Sequence, residues 1–209
     1  MNTIKDVFFL PYYEVPQYLI VLEVIGVSLG ILSIQMIRNQ NIYAYPVGII
    51  STLSYCYLCL HYKLYGDFTI NLYYSTLGVY GWYVWSKDRK KKHIEICKIN
   101  SKELLKSIGL AILSMAITTN AYFYFRGHLT LSNYFDTFTT AVFFVAMWLM
   151  ATKKIEHWYL WLIGNMVSIP LYIYKGLNLS AIQFIVFIFL AYRGHKTWKI
   201  SLEKSKKIY

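Results

Sequence analysis

Charged side chains are scarce in this sequence, and acidic ones are the scarcest. Asp, Glu, Lys and Arg make up 15% of the 209 residues, whereas 57% are hydrophobic and the mean hydropathy is +0.40. A chain of this length cannot bury so much apolar surface in one water-facing core. The composition therefore excludes an ordinary soluble domain and predicts an all-α integral membrane protein.

Cysteine is also scarce, and catalytic motifs are lacking. Of three cysteines, Cys56 and Cys59 lie in an apolar stretch and Cys97 in a basic loop, without a second pair or His set to complete a metal site. No Ser-His-Asp order and no glycine-rich phosphate loop occur. We expect structural thiols, no metal, no cofactor and no catalytic residue. A membrane-embedded enzyme or scaffold is the alternative from another class.

Seven apolar windows are present, each about the 20 residues that a bilayer crossing needs. They lie near residues 18–37, 44–62, 66–85, 104–125, 133–152, 157–175 and 178–197. The first is not a cleavable signal peptide, because no cationic start and small-residue cleavage site surround it. The windows predict seven transmembrane helices.

The sequence repeats itself, so that position n matches position n+113. The matched pairs are Glu23 with Asp136, Tyr45 with Trp158, Gly81 with Gly194, and Trp85 with Trp198. Each copy holds three windows and the fourth lies between them, which predicts two three-helix repeats joined by a linker helix in a 3+1+3 arrangement. An odd number of crossings separates the copies, so we expect parallel repeats with the substrate path between them.

The net charge of +11 is concentrated at one end of the predicted helices. If the N-terminus is outside, all but four of the 21 Lys and Arg residues face the cytoplasm, the exceptions being Lys5, Lys63, Arg126 and Lys175. The positive-inside rule then predicts an outside N-terminus and a cytoplasmic C-terminus, with no nucleic-acid partner. The predicted segments are 1–17 (extracytoplasmic), 18–85 (first repeat), 86–132 (basic loop and linker helix), 133–198 (second repeat) and 199–209 (basic cytoplasmic tail).

The sixth window carries the richest polar stripe. Trp158, Trp161 and Asn165 are spaced by 3 and 4 residues, within about 60° of one helix face. Two indoles and a carboxamide can clamp a flat ring and read its edge, although Trp158 alone also suits an interfacial belt. In the first repeat, Gly48 matches Trp161 and Thr52 matches Asn165. These differences predict an asymmetric binding face.

The third window repeats this logic with other side chains. Asp67, Asn71 and Tyr74 share a sector of about 60°, although Asp67 alone could simply cap the helix. Gln183 in the seventh window and Gln35 in the first add amides. We predict that these residues contribute to the same substrate site.

Two acids occupy matching places near the outer ends of the first and fifth windows. Glu23 and Asp136 could act in gating by moving protons or attracting a cation, or they could simply cap or cross-link helices through hydroxyl partners. The structural role is favoured, because a proton-coupled carrier is expected to place an acid deeper in the membrane.

Three sequence elements resemble the PnuC vitamin transporters. They are Leu64-Tyr65, the run 80–85 (Tyr-Gly-Trp-Tyr-Val-Trp), and the run 156–161 (Glu-His-Trp-Tyr-Leu-Trp) followed by Asn165. The resemblance extends from about Glu23 to Trp198.

The resemblance implies a bacterial inner-membrane facilitator for nicotinamide riboside, an NAD precursor, that works by alternating access. It further implies trapping of the nucleoside by a cytoplasmic kinase, a fold related to SWEET-type triplets, and a homotrimer. Trp158, Trp161 and Asn165 match the family's substrate motif, and Asn71 falls where the family places an amide. Thiamine or another B vitamin remains the alternative substrate. The pyridinium cation suits aromatic faces. We expect no buried Lys or Arg, which favours the riboside over a phosphorylated mononucleotide.

Overall fold

The computed structural model describes residues 15–61, 65–88, 96–126, 128–174 and 178–208. Within them, helices α1 to α7 are Gln17–Arg38, Ala44–His61, Tyr65–Asp88, Ser101–Arg126, Leu131–Ala151, His157–Tyr174 and Asn178–Ile208. The predicted N-terminal segment up to residue 14, most of the basic loop and the side chain of Asp67 lie outside the described residues. Apart from one isolated bridge, the described residues form no β-structure. The predicted all-helical fold is confirmed.

The helix bounds follow the apolar windows closely, with two informative differences. Helix α4 begins three residues early because Asn100 and Glu103 cap it reciprocally. The Glu103 amide donates to Asn100 Oδ1 at 2.9 Å, and the Asn100 amide donates to Glu103 Oε2 at 3.0 Å. Helix α7 continues to Ile208, well beyond the apolar window, because its polar end is rich in Lys, a good helix former, and contains no Gly or Pro.

Helices α1, α4 and α5 are each long and apolar enough to cross a membrane, judged by length and composition. Helix α4 presents Leu105, Ile112 and Ile117 at its surface, with 71%, 62% and 61% of each residue exposed. So much exposed apolar surface is unfavourable in water and suits lipid tails. The membrane character expected from composition is therefore visible on the helices.

The chain divides into two compact units. Met1–Ser86 contains α1, α2 and all but the last two residues of α3, and Lys87–Tyr209 contains α4 to α7. In the first unit α1 packs against α2; in the second, α4 packs on α5, α5 on α6 and α6 on α7. The predicted linker helix α4 therefore packs on α5 and belongs to the same compact unit as the three helices that follow it.

The turn after α1 and the turn after α5 have the same backbone conformation and hydrogen-bond pattern. Gln40 and Lys153, which match at the offset of 113, both adopt a left-handed conformation with φ 54°. The hydrogen bonds also correspond: Asn41 N to Met36 O and Lys154 N to Leu149 O (both 2.9 Å), and Ala44 N to Asn41 O and His157 N to Lys154 O (3.1 and 3.2 Å). The repeat found in the sequence is thus present in the geometry of these two turns.

In each unit, an aromatic ring packs edge-on against a buried tryptophan of a neighbouring helix. Tyr45 of α2 lies 5.1 Å from Trp85 of α3 between ring centroids, at 83°. Trp158 of α6 lies 5.7 Å from Trp198 of α7, at 89°. All four residues are 3% exposed or less. These matched pairs form part of the core of each unit.

A glycine makes each of these pairs possible. A Cβ added at Gly81 would lie 2.6 Å from Tyr45 Cζ, and one added at Gly194 would lie 2.6 Å from Trp158 Cζ3. Contacts between carbon atoms are optimal only near 3.5–4.0 Å, so any side chain at either glycine would displace the ring. The repeated Gly-x-x-x-Trp spacing puts the bare backbone and the tryptophan on one helix face.

Candidate functional site

The second unit holds an aromatic stack between α5 and α6. Phe143 of α5 and Trp161 of α6 lie 5.1 Å apart between centroids, with their planes inclined by 30°. Gly164, one turn after Trp161, leaves the space that the Phe143 ring occupies, since an added Cβ would collide with that ring. Asn165 follows Gly164 and is 1% exposed. A stacked indole and a buried carboxamide are therefore neighbours on α6.

The Asn165 carboxamide is the most unusual polar group of this site. Neither its Oδ1 nor its Nδ2 has a hydrogen-bond partner among the described residues. Ser168, also on α6 and equally buried, differs because its hydroxyl donates to the Gly164 carbonyl at 2.8 Å. Leaving a buried polar group unpaired costs about 1–3 kcal/mol. Such a group suits a polar molecule that binds next to it.

Trp158 lies in different surroundings from Trp161. Its indole packs against Trp198 and lies 4.3 Å from the ring of His157, which is itself fully buried. The Nδ1 of His157 is 2.6 Å from the Lys154 carbonyl oxygen. Trp158 thus has a packing role in the core, and its role in substrate binding stays a prediction.

The predicted residues on α3 lie beside a pair of hydroxyl groups. Asn71 and Tyr74 are half-buried, and the Tyr74 ring lies 6.1 Å from that of Tyr73. Ser75 donates to the Asn71 main-chain carbonyl at 3.0 Å, and its Oγ is 2.7 Å from Thr52 Oγ1 of α2. Thr52 matches Asn165 in the repeat, so the first unit has a bonded hydroxyl where the second has an unbonded carboxamide.

The two glutamines of the predicted site are both half-buried. Gln35 lies near the end of α1, and its Oε1 is buried without a hydrogen-bond partner in the described part of the chain. Gln183 of α7 precedes Phe184, whose ring meets that of Tyr172 edge-on at 4.8 Å. Their participation in a site stays a prediction.

One of the two matched acids links helices. Asp136 of α5 accepts a hydrogen bond from the Tyr122 hydroxyl of α4 at 3.2 Å. Glu23 is half-buried on α1. The Asp136 contact is the kind of helix cross-link that the sequence left open beside a gating role, and gating stays a prediction.

The cations of the described residues that are buried or half-buried lie at a helix end or in a turn. Arg38 is half-buried in the last turn of α1, while Lys153 and Lys154 are buried in the turn between α5 and α6. Lys154 Nζ is 2.8 Å from Glu103 Oε1 and 3.2 Å from Cys97 Sγ. Burial, the largest single influence, lowers the pKa of Lys154, but the hydrogen bonds and charges of Glu103 and Cys97 together outweigh it, so that the pKa lies above its usual 10.5. Lys154 therefore forms an ion pair within the protein, with Glu103.

Sequence reasoning missed Phe143 and Gly164. Neither is polar, and the helical spacing that revealed Trp161 and Asn165 does not reach across to α5. A usable signal existed in the repeat, because Phe143 matches Gly30 and Gly164 matches Ser51. From the second repeat to the first, Phe143 becomes the smaller Gly30 while Gly164 becomes the larger Ser51. Such compensating changes in size indicate that the two positions are in contact.

In the described residues, the helices expose apolar surface, and α6 holds a buried carboxamide, without a described partner, beside an aromatic stack. A profile of the nicotinamide mononucleotide transporter family matches residues 20–200. The chain belongs to this family, the PnuC family of vitamin transporters. Its resemblance to that family, noted from three sequence elements, is confirmed.

Curated relatives carry two kinds of substrate name. The chain is 23% identical over 202 residues to the nicotinamide riboside transporter PnuC of Escherichia coli K12, covering 85% of this chain and 84% of the relative. It is 28% identical over 152 residues to PnuC of Neisseria mucosa (68% and 56% covered). It is 24% identical over 187 residues to the riboflavin/roseoflavin transporter RibM of Streptomyces davaonensis (87% and 86% covered).

A solved structure has the same fold. The crystal structure of the vitamin B3 transporter PnuC superposes with a TM-score of 0.71, covering 96% of this chain and 88% of that chain at 20% identity. Together with the family match, this fold makes the chain a membrane transporter of a vitamin family.

Proposed function

We propose that this protein is a facilitator that carries nicotinamide riboside across a bacterial inner membrane by alternating access. The nucleoside would be trapped by phosphorylation in the cytoplasm. Nicotinamide riboside presents a flat pyridinium cation and a carboxamide, which suit an indole face and a complementary amide. The family match and the naming of its relatives support this substrate class.

The observation that carries the proposal is the Asn165 carboxamide beside Trp161. Its oxygen and nitrogen are buried without a partner among the described residues, and the stacked Trp161 indole lies one turn away on α6. In the proposed complex the indole stacks on the pyridinium ring while Asn165 exchanges hydrogen bonds with the ligand's amide. Asn71, Tyr74, Gln35, Gln183, Asp67 and Trp158 are proposed to complete the site.

Charge supports the riboside over the mononucleotide. A nucleotide would bring a phosphate dianion into the membrane, which requires a buried cation to pair with it. In the described residues, the half-buried Arg38 lies at a helix end, the buried Lys153 and Lys154 lie in a turn, and Lys154 is paired with Glu103. Among the proposed site residues, Asn71, Gln35, Gln183 and Asn165 offer amides and Tyr74 a phenol, which suit an uncharged ribose.

The membrane arrangement is part of the proposal. Two parallel three-helix repeats, 18–85 and 133–198, are joined by the linker helix, with the N-terminus outside and the C-terminus cytoplasmic. The distribution of Lys and Arg and the repeated turn geometry support it. A SWEET-like triplet and a homotrimer follow from the family resemblance.

Riboflavin is the second candidate substrate, favoured by the similarity to RibM. Thiamine, which also has a cationic aromatic ring, is a third candidate that stacking residues do not separate from nicotinamide.

The purified protein, reconstituted in liposomes, should show saturable uptake of radiolabelled nicotinamide riboside. Excess unlabelled riboside should inhibit this uptake, and excess mononucleotide, thiamine or riboflavin should not. If the protein takes up none of these vitamins, the proposal is contradicted and an enzyme or scaffold is favoured.

The site is tested by calorimetric titration of the purified protein with nicotinamide riboside. Asn165→Leu keeps the approximate volume but removes both hydrogen-bonding atoms, so we expect the affinity to fall at least about tenfold. Ser168→Ala is the matched control, because its buried hydroxyl donates to the Gly164 carbonyl of its own helix; it should bind like the wild type. Unchanged affinity in Asn165→Leu would remove this residue from the site.

A further inference from the structure

The stacked pair of the second unit is replaced by two glycines in the first. Phe143 matches Gly30, and Trp161 matches Gly48. Each glycine faces a serine hydroxyl of the neighbouring helix, which would lie 3.1 Å from a Cβ at Gly30 and 2.8 Å from a Cβ at Gly48. Helices α1 and α2 therefore approach closely where two aromatic rings separate α5 and α6. An aromatic stack at this place is confined to one of the two repeats.

Two contacts fix the Phe143 ring. It stacks on Trp161, with centroids 5.1 Å apart, and it lies against the bare backbone of α6 at Gly164. A Cβ at Gly164 would come within 2.8 Å of both Cδ1 and Cζ of the ring. The Phe143 ring therefore fits closely between the Trp161 indole and the α6 backbone, which together restrict its position.

We infer that Phe143 is a positioning residue that determines how well the protein binds a planar aromatic ligand. Held against the Phe143 ring, the Trp161 indole keeps one orientation beside the Asn165 carboxamide, so the ligand meets a preformed surface. Without Phe143 the indole gains rotamer freedom that binding must remove, and affinity falls. This inference rests on the proposed function, in which Trp161 and Asn165 bind nicotinamide riboside.

The first test varies the side chain at position 143 in the purified full-length protein. Calorimetric titration with nicotinamide riboside should give a Kd within about twofold of wild type for Phe143→Tyr, which keeps the ring. Phe143→Leu keeps an apolar side chain but removes the ring, and should raise Kd roughly three- to tenfold, the size of a lost aromatic contact. Phe138→Ala, at an exposed phenylalanine of α5, is the matched control and should leave Kd unchanged.

The second test displaces the ring without removing it. Gly164→Ala should raise Kd because the added methyl group pushes the Phe143 ring off its place. Since Phe143→Leu and Gly164→Ala both abolish the same stack, the double variant should bind no more than about twofold more weakly than the weaker single variant. If the two losses multiplied, they would be independent, and the inference would be overturned.

The outcomes separate the inference from the proposed function. Wild-type protein that does not bind nicotinamide riboside overturns both. Wild-type binding together with unchanged affinity in Phe143→Leu overturns the inference alone. If Phe143→Leu loses affinity, Phe143→Tyr keeps it, and both variants unfold close to the wild-type temperature, the result supports positioning over a general loss of stability.

Discussion

The substitution Gly194→Ala tests the packing of Trp158 against Trp198. The added methyl carbon would lie 2.5 Å from Trp158 Cζ2 and 2.6 Å from Cζ3, about 1 Å closer than a favourable carbon contact. The ring has no free space into which it could move, because Trp158 is 2% exposed and Trp198 is completely buried. Helices α6 and α7 must separate to admit the methyl group.

The expected loss of stability combines two opposing effects. Overpacking a close-packed core costs about 3 kcal/mol at the upper end of the usual range, which the tight contact justifies. Replacing glycine by alanine inside a helix returns about 1 kcal/mol through its better helix propensity. The net loss is then about 2 kcal/mol. For a chain of this size, that corresponds to a fall in Tm of roughly 4–8 °C.

Thermal unfolding in one detergent, followed by far-UV circular dichroism, measures this loss. Gly109→Ala is the matched control, because Gly109 is exposed in the interior of α4 and an added Cβ meets no atom within 4 Å. We expect the control to unfold about 2–4 °C above wild type, since it keeps the propensity gain alone. If Gly194→Ala unfolded at the same temperature as Gly109→Ala, the packing argument would be refuted.

Two further predictions concern the turns. Lys154→Met removes a cation whose side chain is only 10% exposed and should lower the free energy of unfolding by about 1–2 kcal/mol, because Glu103 loses its partner. Since the pKa of Lys154 is raised and that of Glu103 is lowered, the pair contributes fully between pH 4.5 and pH 10.5. At the alkaline end it is lost only as the pH rises through the raised pKa of Lys154, so the difference in Tm from wild type should be equal at pH 7 and pH 9. A difference that shrinks by pH 9 would show that the amine loses its proton earlier. Gln40→Gly, at an exposed residue with φ 54°, should raise Tm by about 2 °C, and Gln40→Ala should not; equal values for the two variants would contradict a backbone origin.

Much of the fold follows from patterns that are local in sequence. The apolar windows predicted the helices to within a few residues at most ends, because helix length and hydropathy are set residue by residue. The end of α7 differed, since hydropathy marks where lipid ends and helix propensity marks where the helix ends. The start of α4 differed because a capping pair, Asn100 with Glu103, extends the helix into polar sequence.

The candidate site was predicted less completely. The spacing of Trp158, Trp161 and Asn165 placed them on one face of a helix, as any α-helix requires. Which neighbours they meet depends on the adjoining helices, and there the two tryptophans differ. Trp158 packs on Trp198 of α7, whereas Trp161 stacks on Phe143 of α5.

The amino-acid sequence by itself determined that this protein is helical, belongs in a membrane, and carries a repeat at an offset of 113, because composition and periodicity act through local preferences. Only the tertiary structure decided what the matched residues do. Gly194 is required because the Trp158 ring lies against its backbone, and Asn165 is notable because the packing of its neighbours buries its amide without a described partner. Close packing joins residues that are distant in the chain, and no local pattern records that contact.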